Sequence, residues 1–154
     1  MTNLDPTPAF AFGHGLSYTT FSYDDLRLTA SEVPFAVSCT VGNTGDVVAT
    51  EVAQLYLEDP VASVTRPVLQ LIGFARVPLE PGEQKRVMFR VHTDRTAFTG
   101  VDLRRIVEPG QLGLLVGGSS ADLPLTGTVT LVGETREAGH GRVLTTPVDV
   151  QPAG

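Results

Sequence analysis

Cysteine is nearly absent from this 154-residue chain: Cys39 stands alone, so no disulfide can form within it. A metal site built on thiolates is likewise out of reach. Tryptophan is missing altogether and aromatic residues make up only 6% of the sequence, which leaves few rings for a broad stacking platform. Lysine is represented by Lys85 alone, and the arginines stand singly apart from Arg104-Arg105. With a formal net charge of −6, the chain lacks the concentration of cations that displaces counterions from nucleic acid or binds an anionic membrane surface. Neither is expected as a partner. No apolar run approaches the ~20 residues that span a bilayer. Met1 to Phe10 have neither a basic head nor a continuous apolar stretch, so they do not read as a secretory signal, and localisation is left open.

What is present is a globular composition, 42% hydrophobic and 18% charged, on a chain long enough to hide roughly 70% of its unfolded surface in one domain. The organising stretch runs from Glu51 to Val91. Ala53, Leu55 and Leu57 alternate with Val52, Gln54 and Tyr56, which predicts a strand with one core face and one polar face. Val87, Phe89 and Val91 alternate with Arg86, Met88, Arg90 and His92 in the same way. Between them Leu69, Leu71, Ile72 and Phe74 form a denser run, and the break in alternation at Leu71-Ile72 predicts a bulge or a strand that changes sheets. Pro81-Gly82 has the chemistry of a type II turn, with φ fixed at the proline and positive at the glycine.

Other strands are expected over Tyr23 to Ala30, Phe35 to Val41, Gln111 to Gly117 and Leu125 to Val132. Gly42 to Asp46 supplies a turn, and Thr93 to Phe98 one helical turn capped by Thr93 or Asp94. About seven short strands with little helix point to an all-β sandwich of the immunoglobulin or fibronectin type III-like kind over residues 22–132. Residues 133–154 are expected as an extended tail along the surface, frayed at its end. Residues 1–21 read as a leader and a docking segment, because Phe10, Phe12, Tyr18 and Phe21 place more ring surface within twelve residues than a free tail tolerates in water.

The candidate chemistry is thin. Gly15-Leu16-Ser17-Tyr18-Thr19 resembles a nucleophile elbow but lacks the final glycine and the strand-turn-helix context, so Ser17 is read as a turn residue. Asp24-Asp25 and Glu58-Asp59 are adjacent on strands and point to opposite faces, which prevents convergence on one glycosidic bond or one metal. His14, His92 and His140 have no ligand spacing. Gly117-Gly118-Ser119-Ser120 has neither the lysine nor the helix of a phosphate loop. Cys39, among Phe35, Val37 and Val41, is read as a small core hydrophobe. No cofactor, metal or catalytic residue is expected within this chain.

Three segments together carry a resemblance. They are Phe12-Gly13-His14-Gly15-Leu16-Ser17-Tyr18-Thr19-Thr20-Phe21; Glu51-Val52-Ala53-Gln54-Leu55-Tyr56 running on to Arg66-Pro67 and Leu71-Ile72-Gly73-Phe74; and Glu108-Pro109-Gly110 with Leu115-Val116-Gly117-Gly118-Ser119-Ser120-Ala121-Asp122. In order and spacing they resemble the C-terminal fibronectin type III-like domain of family 3 glycoside hydrolases, most of all the actinobacterial β-xylosidase and β-glucosidase branch. The resemblance covers roughly Phe12 to Val132. The short Ser31 to Pro34 link departs from the longer hairpin often found in relatives, and Thr93 to Gly100 departs from a leucine-containing helical turn.

In that family the nucleophilic aspartate belongs to a barrel domain and the acid/base glutamate to an α/β sandwich, neither of which is present here. The resemblance therefore implies a glycosidase as the parent protein and a noncatalytic accessory role for this chain. It implies interdomain docking by Phe10, Phe12, His14, Leu16 and Tyr18, and an active-site rim at the Asp59 to Pro67 loop, with Asp59 and Arg66 as its candidate residues. The catalytic domains of the parent would be the partners. Two rival readings stand beside it. One is an independent carbohydrate-binding or adhesion module that holds an oligosaccharide on Tyr18, Tyr23 or Tyr56. The other is an oligomerising remnant that associates through the Phe10 to Phe21 patch.

Overall fold

Period-two alternation decides the architecture, because each strand that buries every second side chain needs a second sheet to bury it against. The computed structural model describes residues 8–29, 34–61, 63–64 and 67–153. Among these residues the strands are β1 (Phe21–Thr29), β2 (Phe35–Asn43), β3 (Ala49–Glu58), β4 (Gln70–Leu79), β5 (Gln84–Val91), β6 (Phe98–Thr99), β7 (Arg105–Val107), β8 (Gly110–Gly117), β9 (Leu125–Leu131), β10 (Arg136–Glu137) and β11 (Val148–Pro152). They form two antiparallel four-stranded sheets, β1-β2-β5-β11 and β4-β3-β8-β9, and a small sheet β10-β7-β6.

The core lies between the two large sheets. Val37, Cys39 and Val41 of β2 and Val87, Phe89 and Val91 of β5 meet Ala53, Leu55 and Leu57 of β3, Val77 and Leu79 of β4, and Leu114 and Val116 of β8. All of them are buried, and each fully buried valine, leucine or phenylalanine stabilises the fold by about 1.5–3 kcal/mol relative to exposure. Cys39 is in the middle of this core, and burial pushes its thiol up to about 12 against the opposing pull of Arg86. The folded protein is therefore expected to resist a thiol reagent at pH 8 and to react fully in denaturant; rapid labelling of the native form would place Cys39 outside the core.

The punctuation follows the sequence closely. Leu55 pairs with Gly73 and Tyr56 with Leu71, so Ile72 is the extra residue of a bulge, where the alternation breaks. Gly82 has φ of 73° and the Glu83 N–H donates to the Glu80 carbonyl at 3.0 Å, which closes the turn at Pro81-Gly82. A second bulge lies in β1 between Asp24 and Arg27. There Asp25 takes φ of 52°, and its carboxylate accepts from both Arg27 and Arg86, which hold it below the usual carboxylate range.

Two expectations need correction, the tail and the helical turn. The segment 133–153 is more than an extended tail: Val148–Pro152 is an edge strand paired with β5, with Val148 opposite Phe89, and the Ala153 N–H donates to the Gln84 carbonyl at 3.1 Å. Arg136–Glu137 pairs with β7, so this region adds two strands to the expected set. The helical turn is a 3-10 turn over Thr93–Thr96, and its cap is His92, whose Nδ1 accepts from the Asp94 N–H at 3.1 Å. On β3 the face opposite the core carries the polar atoms of Gln54 and Tyr56, as the alternation requires, and both residues are buried there. Phe74, grouped with Ile72 in one apolar run, lies on the far side of the bulge and is largely exposed. The Ser31 to Pro34 link lies outside the described residues except for Pro34.

Candidate functional site

The groups that meet the Gln54 amide come from the segment before β1 and from the turn after β8. Ala53 and Leu55 point into the core, so Gln54 points outward, and its side chain is the post on which that segment is fastened. Its Nε2 donates to the Gly13 carbonyl at 3.3 Å and to the Gly118 carbonyl, while its Oε1 accepts from the Tyr56 hydroxyl at 2.6 Å. The Ser120 N–H donates to the Phe12 carbonyl at 2.9 Å. Gly13 has φ of 78°, and a Cβ there would sit 2.2 Å from Gln54 Oε1, so only glycine lets the chain cross this point.

A second fastening lies at Thr19-Thr20. The Thr19 hydroxyl donates to Asn43 Oδ1 at 2.7 Å, and the Thr44 N–H donates to the Thr20 carbonyl at 2.9 Å. Asn43 in turn donates to the Val47 carbonyl at 2.8 Å and the Leu79 carbonyl at 3.2 Å, which ties this end of the segment to the buried end of β4.

Between and beside these posts the side chains face solvent. Phe10 is 73% exposed, Phe12 66%, Leu16 95% and Tyr18 98%, and the Phe10 ring stacks on His14 at 5.3 Å. The structure thus brings Phe10 and His14 together, with Phe12 exposed between them in sequence and Leu16 and Tyr18 on the span that follows. Phe10, Phe12, Leu16 and Tyr18 thus form exposed apolar surface on a backbone that is held in place. Replacing Gly13 with alanine is expected to strain this crossing by about 1 kcal/mol and to displace the Gln54 amide. Hydrogen exchange at the Ser120 N–H should quicken while the melting temperature barely moves; unchanged exchange would show that the segment is held elsewhere.

Between the segment and the edge of the sandwich lies a cleft of about 570 Å³ lined by His14, Leu16, Tyr23, Glu51 and Asp122 among others. The Tyr23 hydroxyl donates to Glu51 Oε1 at 2.6 Å, and burial together with this carboxylate raises the phenol well above its ordinary value. Of the three tyrosines proposed for sugar stacking, Tyr56 is buried and Tyr23 half-buried, which leaves Tyr18 as the exposed one. Asp59 lies just past β3 and accepts from the Val61 N–H at 3.3 Å, whereas Arg66 lies outside the described residues. Ser63 in the same loop donates to Glu108, by its hydroxyl at 2.6 Å and its N–H at 3.3 Å. Gln54 and Glu108 are the positioning residues that sequence reasoning passed over. A glutamine inside an otherwise apolar run was the available signal for the first.

Two facing antiparallel sheets with this connectivity define an all-β sandwich of the fibronectin type III-like class. Residues 51–120 match the model of the Fibronectin type III-like domain family. A beta-xylosidase of Formosa agariphila is 44% identical over 120 residues, which cover 75% of this chain and 17% of that protein. Among solved structures, beta-glucosidase 3B from Thermotoga neapolitana aligns with TM-score 0.79 at 35% identity, over 85% of this chain and 18% of that one. The GH3 beta-glucosidase of Bifidobacterium adolescentis aligns with TM-score 0.75 at 35% identity, over 79% of this chain and 18% of that one. The chain belongs to the fibronectin type III-like domain family, and these relatives by sequence and by fold are β-xylosidases and β-glucosidases of the family 3 kind. It spans less than a fifth of the length of each of these three proteins.

Proposed function

We propose that this chain is the noncatalytic accessory domain of a retaining β-glycosidase, a β-xylosidase or β-glucosidase that hydrolyses O-glycosidic bonds, and that it stabilises the catalytic domains by docking on them. The observation that carries this reading is the segment from Phe10 to Tyr18, whose backbone is fastened at Gln54 and Ser120 while Phe10, Phe12, Leu16 and Tyr18 face solvent. Covering side chains of this size stabilises an assembly by about 1.5–3 kcal/mol each when they become fully buried. His14, stacked on Phe10, would join the same contact. The Asp59 to Pro67 loop, braced by Ser63 on Glu108, would border the active-site rim of the parent and present Asp59 and Arg66 there.

Retaining hydrolysis needs two carboxyl groups held about 5 Å apart across the bond, and in this reading both belong to the parent's other domains. The purified chain is accordingly expected to leave aryl β-xylosides and β-glucosides intact over hours; turnover that co-purifies with it would overturn the noncatalytic role. The cleft lined by Ser17, Thr19, Glu51 and Asp122 favours a second reading, an independent carbohydrate-binding module. Titration with xylo- and cello-oligosaccharides separates the two. A flat titration agrees with the accessory role, and saturable binding would favour the module.

A further inference from the structure

We infer that the docking surface continues past the Phe10 to Tyr18 segment onto the outer face of the β4-β3-β8-β9 sheet, where Phe74, Val52 and Arg76 receive the catalytic part of the same polypeptide. This rests on the accessory-domain reading above and names the surface through which it works. The placement follows from strand parity. Gln54 and Val52 point away from the core, and the β3–β4 register sets Phe74 opposite Gln54 and Arg76 opposite Val52, so all four share the outer face. Phe74 is 61% exposed and stands one strand away from the side chain that holds Gly13. The ring therefore stands on the same face as the amide that holds the segment.

The outer face of the other sheet shows what a solvated face looks like in this protein. There Arg86 pairs with Asp25, and Arg90 pairs with Asp149 at 2.7 Å, so its charges are matched within the domain. The Phe74 face instead joins a large ring and a half-covered valine to a fastened apolar segment, which is the composition of an interface centre with a polar rim. Arg76, beside Val52, asks for a carboxylate on an otherwise apolar partner surface. The occupant is the remainder of the chain's own polypeptide, because this domain accounts for less than a fifth of the length of the related β-glycosidases and the fastened segment crosses this face at Gln54.

Hydroxyl-radical footprinting with mass spectrometry, run on the native polypeptide and on the isolated 154-residue chain, tests this without any variant that has to fold. Phe74 should be oxidised severalfold more slowly in the native polypeptide than in the isolated chain, together with Phe12 and Tyr18. Protection of Phe12 and Tyr18 alone would overturn this inference and leave the accessory reading standing. Protection of none of the three would overturn both. Protection of Phe74 in the isolated chain that fades on dilution would assign the face to a second copy and also overturn it. In support, Phe74→Ser should lower the melting temperature of the native polypeptide and leave that of the isolated chain unchanged; an equal loss in both would mean that Phe74 works inside the domain and would count against docking.

Discussion

Phe89→Ala is expected to lower the unfolding free energy by about 4 kcal/mol, a large share of the roughly 5–15 kcal/mol that holds an ordinary domain folded. The reason is the position of the ring. Phe89 is fully buried, pairs in register with Val37 on one side and Val148 on the other, and reaches across to the opposite sheet at Gly73. A Cβ at Gly73 would lie 3.1 Å from the Phe89 ring, so the absence of a side chain there makes room for it. Removing the ring leaves a cavity that two pinned sheets cannot close, and the melting temperature should fall by about 10 °C. Phe89→Leu, which keeps most of the volume, should cost about 1.5 kcal/mol or less. Urea unfolding of both variants checks this; a loss under about 1 kcal/mol for alanine would show that the sheets do not meet at this ring.

Asp94→Asn is expected to cost about 2 kcal/mol at pH 7, the second largest effect, because Asp94 holds the returning C-terminal segment. Its carboxylate is buried. One oxygen accepts from Arg136, and the other accepts from the Val143 N–H at 2.9 Å and lies 3.2 Å from His92 Nδ1. An asparagine must turn an NH₂ group toward one of these donors. Beside it Arg95 donates to the Leu144 carbonyl at 2.6 Å and the Ile72 carbonyl at 3.0 Å, and the Thr146 hydroxyl donates to the Ile72 carbonyl at 2.6 Å. Together these fix residues 136–146 and deliver β11 to the edge of β5.

The pH dependence follows from the same contacts. Burial alone would raise the Asp94 carboxyl, but the Val143 N–H and the Arg136 guanidinium outweigh it and hold the group below its ordinary value. A depressed native value means that the unfolded chain takes up the proton first as pH falls. The stabilisation is therefore complete above the unfolded carboxylate value of about 4 and is lost as pH falls through the lower native value. The difference between wild type and Asp94→Asn should be present at neutral pH and shrink in acid below about pH 4. A difference that stayed constant into strong acid would mean that the charge of Asp94 contributes nothing.

The core strands were legible because local alternation and burial agree. Val87, Phe89 and Val91 point inward as the pattern requires, and the break at Leu71-Ile72 marks the bulge that the register contains. The return of Val148–Pro152 was not legible. Its strand state is imposed by the open edge of β5 and by the Asp94 and Arg95 clasp, which lies dozens of residues away in sequence. Val-Asp-Val-Gln-Pro on its own carries little propensity for a strand and ends in a proline that only an edge tolerates. The burial of Gln54 was hidden for a similar reason, since the groups that meet its amide come from Gly13 and Gly118. Alternation can say which face a residue takes, not what later lies on that face. Phe74 shows the converse: an apolar residue in an apolar run that the bulge turns outward.

The aromatic density from Phe10 to Phe21 was visible from the sequence, and the geometry adds the posts that hold it: Gln54, Ser120 and Asn43. A domain that fixes a strip of exposed rings in this way, and that matches only a small part of longer β-glycosidases, makes one claim above the others. The intact mass of the native polypeptide carrying this sequence in its source cells tests that claim most directly. The account predicts a species several times heavier than 16.3 kDa that hydrolyses aryl β-xylosides or β-glucosides. A native species of 16.3 kDa would contradict it.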